Sequence, residues 1–94
     1  MRAADIARNA FGQNHIWTAE IYLYIALMHK ENSQVQFASP WIRKSFMACY
    51  KATGINHKAV KAVFLHLKNI EYNVGSPLAN ISIEFMASKI KQME

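Results

Sequence analysis

The run from Ile21 to Met28 restricts what this chain can fold into more than any other feature, because it leaves almost no polar face on the element it forms. A membrane span needs roughly 18 apolar residues, and this run ends after eight, at the polar residues 29–31. The run must therefore be buried against other parts of a globular domain. We expect it to be the central buried helix, capped by Thr18 and ending near Glu31.

Composition agrees with one globular domain. The chain has 94 residues, of which 52% are hydrophobic and 12% aromatic, and this is far too apolar for a disordered chain. No repeat, low-complexity tract or linker divides residues 1–94, so we expect a single domain. Cys49 is the only cysteine, which excludes an internal disulfide and a cysteine-rich metal site. With no signal-peptide pattern either, we expect a cytoplasmic protein.

Charge is unevenly distributed along the chain, whose net charge is +5. No acidic residue lies between Asn32 and Ile70. The bases of this segment are Arg43, Lys44, Lys51, Lys58, Lys61 and Lys68. Such a segment is typical of a surface that meets a polyanion. The alternative is an ordinary solvated lysine face, which has the same composition.

Start and stop signals divide the basic segment into two helices. Ser39 followed by Pro40 is typical of a helix start, with serine as the N-cap and proline at the first helical position. Gly54 is expected to end this first helix. Asn56 can cap the second helix, and capping alone would explain an asparagine there. The buried face of the second helix follows the i, i+3, i+4, i+7 pattern at Val60, Val63, Phe64 and Leu67.

The segments on either side give weaker signals. Residues 3–11 have helical spacing, with Gly12 placed to end that helix, and residues 35–37 alternate like a short strand or extended loop. Apolar and polar residues also alternate over 70–74 and 81–85, with the turn cluster Gly75-Ser76-Pro77 between them. We therefore expect a β-hairpin at about 70–86 and a short helix at 87–93. The alternative is that residues 82–92 form one helix, which would make the whole chain a helical bundle.

Helix, glycine turn, capped basic helix and hairpin follow one another in the order of a winged helix-turn-helix domain. The stretch ATGINHKAV, from Ala52 to Val60, resembles the turn and the start of the recognition helix in such domains. Over roughly residues 18–86 the chain resembles the helix-turn-helix regions of plasmid and phage replication initiators and of small bacterial regulators. The resemblance implies an α+β fold that is mainly helical, with a helix-turn-helix at about 39–68 and a C-terminal β-hairpin wing.

The resemblance also implies binding to double-stranded DNA, as a transcriptional regulator or a replication-initiation protein. Lysine and arginine would meet phosphates, and polar side chains at the start of the second helix would meet base edges. The expected DNA-binding residues are Arg43, Lys44 and Lys51 on the first helix, Asn56, His57, Lys58 and Lys61 on the second, and Asn73 and Ser76 in the wing.

Other functions have less support in the residues. We find no paired carboxylates, no metal-spaced histidines and no glycine-rich phosphate loop, so we expect neither an enzyme nor a metal or cofactor site. The alternative function is a protein-interaction or dimerisation module without DNA activity of its own. A homodimer would be expected to use the apolar stripe of Met86, Ile90 and Met93. Trp17 and Trp41 are expected in the core or at its edge, Cys49 is expected to be buried, and Leu65 points outward.

Overall fold

The computed structural model describes residues 2–12 and 14–93, and the secondary structure of these residues is helical. The α-helices are α1 (Arg2–Phe11), α2 (Ile16–Glu31), α3 (Val35–Thr53), α4 (Lys58–Asn73) and α5 (Ile83–Met93), with a short 3-10 helix at Pro77–Asn80. The described residues contain no β-strand. The expected α+β fold with a β-hairpin wing is therefore wrong, and the helical-bundle alternative describes the fold. None of the described helices combines the length and apolarity needed to cross a membrane.

Helix α3 lies at the centre of the bundle, between α2 and α4. Its residues Ile42, Phe46 and Cys49 are fully buried at helical spacing, as the sequence predicted. Small side chains let α2 approach closely, and the Ser45 hydroxyl donates a hydrogen bond of 2.7 Å to the Ala19 carbonyl. The helix expected to be central, α2, lies to one side instead. It buries one face, while other apolar side chains on it stay exposed.

Two helices are capped by histidines, which the sequence did not predict. The His15 imidazole accepts a hydrogen bond from the Trp17 backbone N–H (3.1 Å) at the start of α2. His57 does the same for the Ala59 N–H (3.0 Å) at the start of α4. Thr18 and Asn56 are therefore not the caps. The neutral imidazole offers Nδ1 as an acceptor, but histidine is not among the residues that normally signal a helix start.

Helix α3 begins at Val35, five residues before Pro40, the expected first helical position. Residues 35–37 are helical, so the predicted strand or loop there is wrong. Ser39 is not an N-cap, because it lies inside the helix with its hydroxyl buried. Pro40 is tolerated near the start of the helix, where its missing N–H leaves only the carbonyl of the exposed residue Gln36 without its usual partner. The end of α3 at Gly54 is as predicted.

The region expected to form the wing continues the helical pattern instead. Ile70 follows Leu67 at helical spacing, and both are fully buried as α4 runs on to Asn73. After the turn, Met86 and Ile90 bury one face of α5, which begins at Ile83 and includes the predicted helix at 87–93. A short stretch of alternating apolar and polar residues fits both the two-residue period of a strand and the 3.6-residue period of a helix. Here the burial of Ile70, Met86 and Ile90 in the core selects the helical one.

Helix α1 ends at Phe11, with Gly12 following in a left-handed conformation (φ +84°), as predicted. It buries only Ala4 and Ala7. The buried Thr18 hydroxyl connects it to α2, because it lies 2.7 Å from the Gly12 carbonyl and 3.3 Å from the Ala7 carbonyl.

Candidate nucleic-acid interface

Helices α3 and α4 form an antiparallel hairpin around the turn at residues 54–57. Ser39, far from the turn on α3, is hydrogen-bonded to Glu71 near the far end of α4 (2.6 Å). Phe46 and Phe64, nearer the turn, pack with their ring centroids 6.2 Å apart. The two helices therefore lie side by side over most of their length. In a DNA-binding helix-turn-helix they cross at about 90–120° instead.

The single acidic residue on these two helices, Glu71, is hidden inside the hairpin. Its side chain is fully buried, and Arg43 donates to it from Nε (3.0 Å) and Nη2 (2.9 Å). Burial raises the pKa of Glu71, but hydrogen bonds from Arg43, Ser39 and Ser76, together with the arginine charge, outweigh it and leave the pKa below its usual value. The carboxylate is thus ionised and neutralised internally, and the hairpin presents no acidic group to solvent.

Four of the predicted lysines are exposed on this hairpin. Lys51 lies in the last turn of α3 and Lys58 in the first turn of α4, on either side of the connecting turn. Lys61 is exposed one turn further along α4. Lys44 is exposed on α3, with its ammonium 4.9 Å from the centre of the Trp41 ring. Lys51 and Lys58 therefore flank the turn, Lys61 follows on α4, and Lys44 lies about two helical turns before Lys51 on α3.

The structure places the other predicted DNA-binding residues differently. Arg43 is engaged with Glu71, so its guanidinium stabilises the hairpin. Asn56 is exposed in the turn, where it is not needed as a cap, and the His57 imidazole is used as the cap of α4. Asn73 ends α4 and Ser76 caps the 3-10 helix.

No wing carries those last two residues. Asn73 is the last residue of α4 and Ser76 follows it. This end of the helix lies roughly 22 Å from the basic N-terminus of α4, at a rise of 1.5 Å per residue. Asn73 and Ser76 therefore do not join the lysines near the turn.

Apolar side chains interrupt the basic surface on α4. Leu65 is 68% exposed, as its outward position predicted. Tyr72, which was predicted to lie in a strand, directly follows the buried Glu71 on α4 and is 75% exposed. Lys68, between them in sequence, is half-buried with its ammonium 5.5 Å from the centre of the Phe64 ring. This part of α4 is more typical of a protein contact than of a DNA contact.

A second surface, which the sequence did not predict, lies between α1 and α2. It is an apolar groove of about 440 Å³, lined by Ala3, Ile6, Ala7, Phe11, Trp17, Glu20 and Ile21. Trp17 was expected in the core or at its edge, but it is 60% exposed and stacks on Phe11 with centroids 6.1 Å apart. Trp41 does lie at the core edge, 5.8 Å from the Tyr22 ring.

Other candidate features give no chemical site. Within residues 2–12 and 14–93, no group of three His, Cys, Asp or Glu side chains is arranged to hold a metal ion. Cys49 is buried as predicted, and burial raises the pKa of its thiol, which makes the reactive thiolate scarce. Of the C-terminal stripe, Met86 and Ile90 belong to the core, and Met93 alone is exposed.

The basic hairpin is therefore the charged surface best suited to a macromolecular partner, and the groove is the main apolar one. Comparison with known protein families, with curated proteins and with solved structures finds nothing that matches this chain.

Proposed function

We propose that the chain binds double-stranded DNA through the hairpin of α3 and α4. The observation that carries the proposal is that the hairpin exposes charge of one sign only. Its exposed ionic groups are all basic, and its single carboxylate is buried against Arg43. A duplex carries one negative charge per roughly 1.7 Å of its axis, so a surface whose exposed ionic groups are all basic can bind it without a specific sequence.

The side-by-side arrangement of the helices favours contacts to phosphates over deep insertion of one helix into a groove. Lys44, Lys51, Lys58 and Lys61 are exposed point charges on flexible stems, which suit phosphate oxygens. Asn56 is the polar side chain free to approach a base edge, because it is exposed in the turn and the cap is supplied by His57. A role in transcription control or replication initiation, in the cytoplasm of a bacterium or for a mobile element, belongs to the same proposal.

The test is binding to a fluorescent random-sequence duplex over a series of salt concentrations. We expect micromolar affinity at low salt that falls steeply with salt, since each phosphate contact contributes a slope of about −0.9 in log K against log salt. The variant K44A/K58A/K61A should lose most of the affinity and flatten the slope.

The matched control removes the same charge from elsewhere. In R2A/R8A/K30A three bases outside the hairpin are replaced, so the net charge falls equally. Near-normal binding by this control, with loss in the hairpin variant, would support the proposal. Equal loss in both variants would point to net charge alone, and no binding of the wild type at low salt would reject DNA as the partner.

The alternative function is a protein-interaction module, and the exposure of Leu65 and Tyr72 on α4 favours it. A protein contact has an apolar centre with a polar rim. Because apolar contacts are only weakly sensitive to salt, a partner bound in this way would show little of the salt dependence expected for DNA.

A further inference from the structure

The N-terminal third of the chain presents an apolar surface that the other residues described by the structure leave uncovered. We name it the N-terminal face, and its residues are Ile6, Phe11, Trp17, Ile21, Tyr24 and Met28. The α2 members lie at i, i+4, i+7 and i+11, so they form one stripe along the helix. On the α1 side, Ile6 and Phe11 close the groove beside Trp17.

The area of this face is large for a chain of this size. Tyr24 is 79% exposed, the highest value among the large apolar side chains of the described residues, and four others are between 42% and 60% exposed. With aromatic side chains of 150–250 Å², the face exposes roughly 600 Å². This is the upper end of the largest patch on a typical monomer. Two such faces together bury about 1,200 Å², which reaches the standard size of a stable interface.

Charge distinguishes this face from the hairpin. Residues 2–31 contain three acids and three bases, so this part of the molecule has no net charge. The segment 32–70 has six bases and no acid. Two copies of the basic hairpin would repel each other, whereas two copies of the neutral N-terminal face would not. A polyanion fits the first surface, and a second copy of the chain fits the second.

We propose that the chain forms a two-fold symmetric homodimer through the N-terminal face, with the two α2 helices antiparallel. An isologous contact requires a surface that is complementary to itself, and this face contains both a groove and a projection. Trp17 beside the groove and the projecting Tyr24 are seven residues apart, or about 10.5 Å along α2.

A two-fold axis near Ile21 lies midway between those two residues. Each Tyr24 then contacts the groove beside Trp17 of the partner subunit. The dimer leaves the basic hairpin of each subunit uncovered.

The experiment is sedimentation velocity of the full chain from about 1 to 300 µM, a range that detects dissociation constants from the micromolar to the sub-millimolar. We expect the mass to rise from that of a 10.8 kDa monomer to twice that value. The variant W17E/Y24E should remain monomeric throughout. The control L65E/F85E introduces the same charges at equally exposed apolar positions outside the face, and it should dimerise like the wild type. Far-UV circular dichroism and a thermal melt establish that each variant is folded.

A second measurement follows Trp17 directly. In the variant W41F, Trp17 is the one remaining tryptophan. Its emission should shift to shorter wavelength with increasing concentration, because dimerisation removes the ring from water. A wild type that stays monomeric at 300 µM would overturn the proposal, as would dimerisation of W17E/Y24E. The proposal would also be overturned if the protein stayed monomeric in solution and instead co-sedimented with lipid vesicles, because the face would then bind a membrane surface.

Discussion

A carboxylate buried inside a helical hairpin needs partners that stabilise its charge. For Glu71, Arg43 contributes more than Ser39, because the guanidinium supplies a positive charge and two hydrogen bonds. We expect Arg43→Ala to lower the free energy of unfolding by about 3 kcal/mol, since it leaves a buried charge without its counterion. Urea denaturation measures this, with the exposed neighbour Lys44→Ala as the control at below about 0.5 kcal/mol. Equal stability of the two variants would contradict the assigned role of the pair.

The same carboxylate predicts a pH dependence. The folded pKa of Glu71 is lowered, so ionised Glu71 stabilises the fold at every pH above its unfolded pKa of about 4.3. This stabilisation is lost as the pH falls through the folded pKa. The stability difference between the wild type and Glu71→Gln should therefore be constant from pH 7 to about 5 and shrink below about pH 4. Chemical denaturation at several pH values measures it, and a difference that widens on acidification would rule out the lowered pKa.

The capping role of His57 allows a test of whether this side chain only caps α4 or also contacts DNA. We expect His57→Ala to destabilise the protein by about 1 kcal/mol through loss of the cap at α4. Asparagine caps equally well, so His57→Asn should restore stability in a thermal melt. If His57 is only a cap, His57→Asn should also bind duplex DNA normally. Normal stability with impaired binding would instead identify His57 as a DNA contact.

At the scale of elements, the sequence correctly predicted where the first three α-helices end, at Phe11, Glu31 and Thr53. Gly12 and Gly54 both follow the ends of the predicted helices, and both have positive φ. The predictions failed where two periods fit the same short stretch, as at 70–74 and 81–85. The choice between strand and helix there depends on burial of Ile70, Met86 and Ile90 against other helices. Local periodicity contains no information about that packing.

The candidate site was predictable only in part, for a similar reason. The acid-free segment identified the exposed lysines, because charge composition needs no tertiary information. It also included Arg43, whose partner Glu71 is 28 residues away and lies just beyond the segment. The N-terminal face was missed because an apolar run predicts burial, and its exposure depends on what the rest of the chain leaves uncovered.

The packing of α5 gives an element-level prediction. Met86 is fully buried, whereas Met93 on the same helix is half-exposed. We expect Met86→Ala to cost about 2–5 kcal/mol because it leaves a cavity between the helices. Met93→Ala should change stability by less than about 0.5 kcal/mol. Thermal or urea unfolding compares the two variants, and similar small effects would mean that α5 is not docked against the core.

For the whole molecule, the two proposed surfaces combine into one expectation. A homodimer would carry two basic hairpins, so it should make about twice as many phosphate contacts as a single chain. If both hairpins reach one duplex, W17E/Y24E should bind more weakly and with roughly half the salt slope of the wild type. Fluorescence anisotropy over a salt series measures this. The control is F85E/S88E, which adds the same two charges at exposed positions of α5, outside both the hairpin and the N-terminal face. An unchanged slope in W17E/Y24E would show that each chain binds DNA independently.

The attachment of α1 through Thr18 has a consequence for the groove itself. Ten residues are fewer than the roughly 12–15 that an isolated helix needs to persist in water, and α1 buries only two alanines. Its amides should therefore exchange with solvent through local opening, well before those of α3. The groove exists only while α1 is docked, so the affinity of anything that binds there is scaled by the docked fraction. Removing the Thr18 hydroxyl would thus weaken binding at the groove, although the Thr18 side chain does not itself line it.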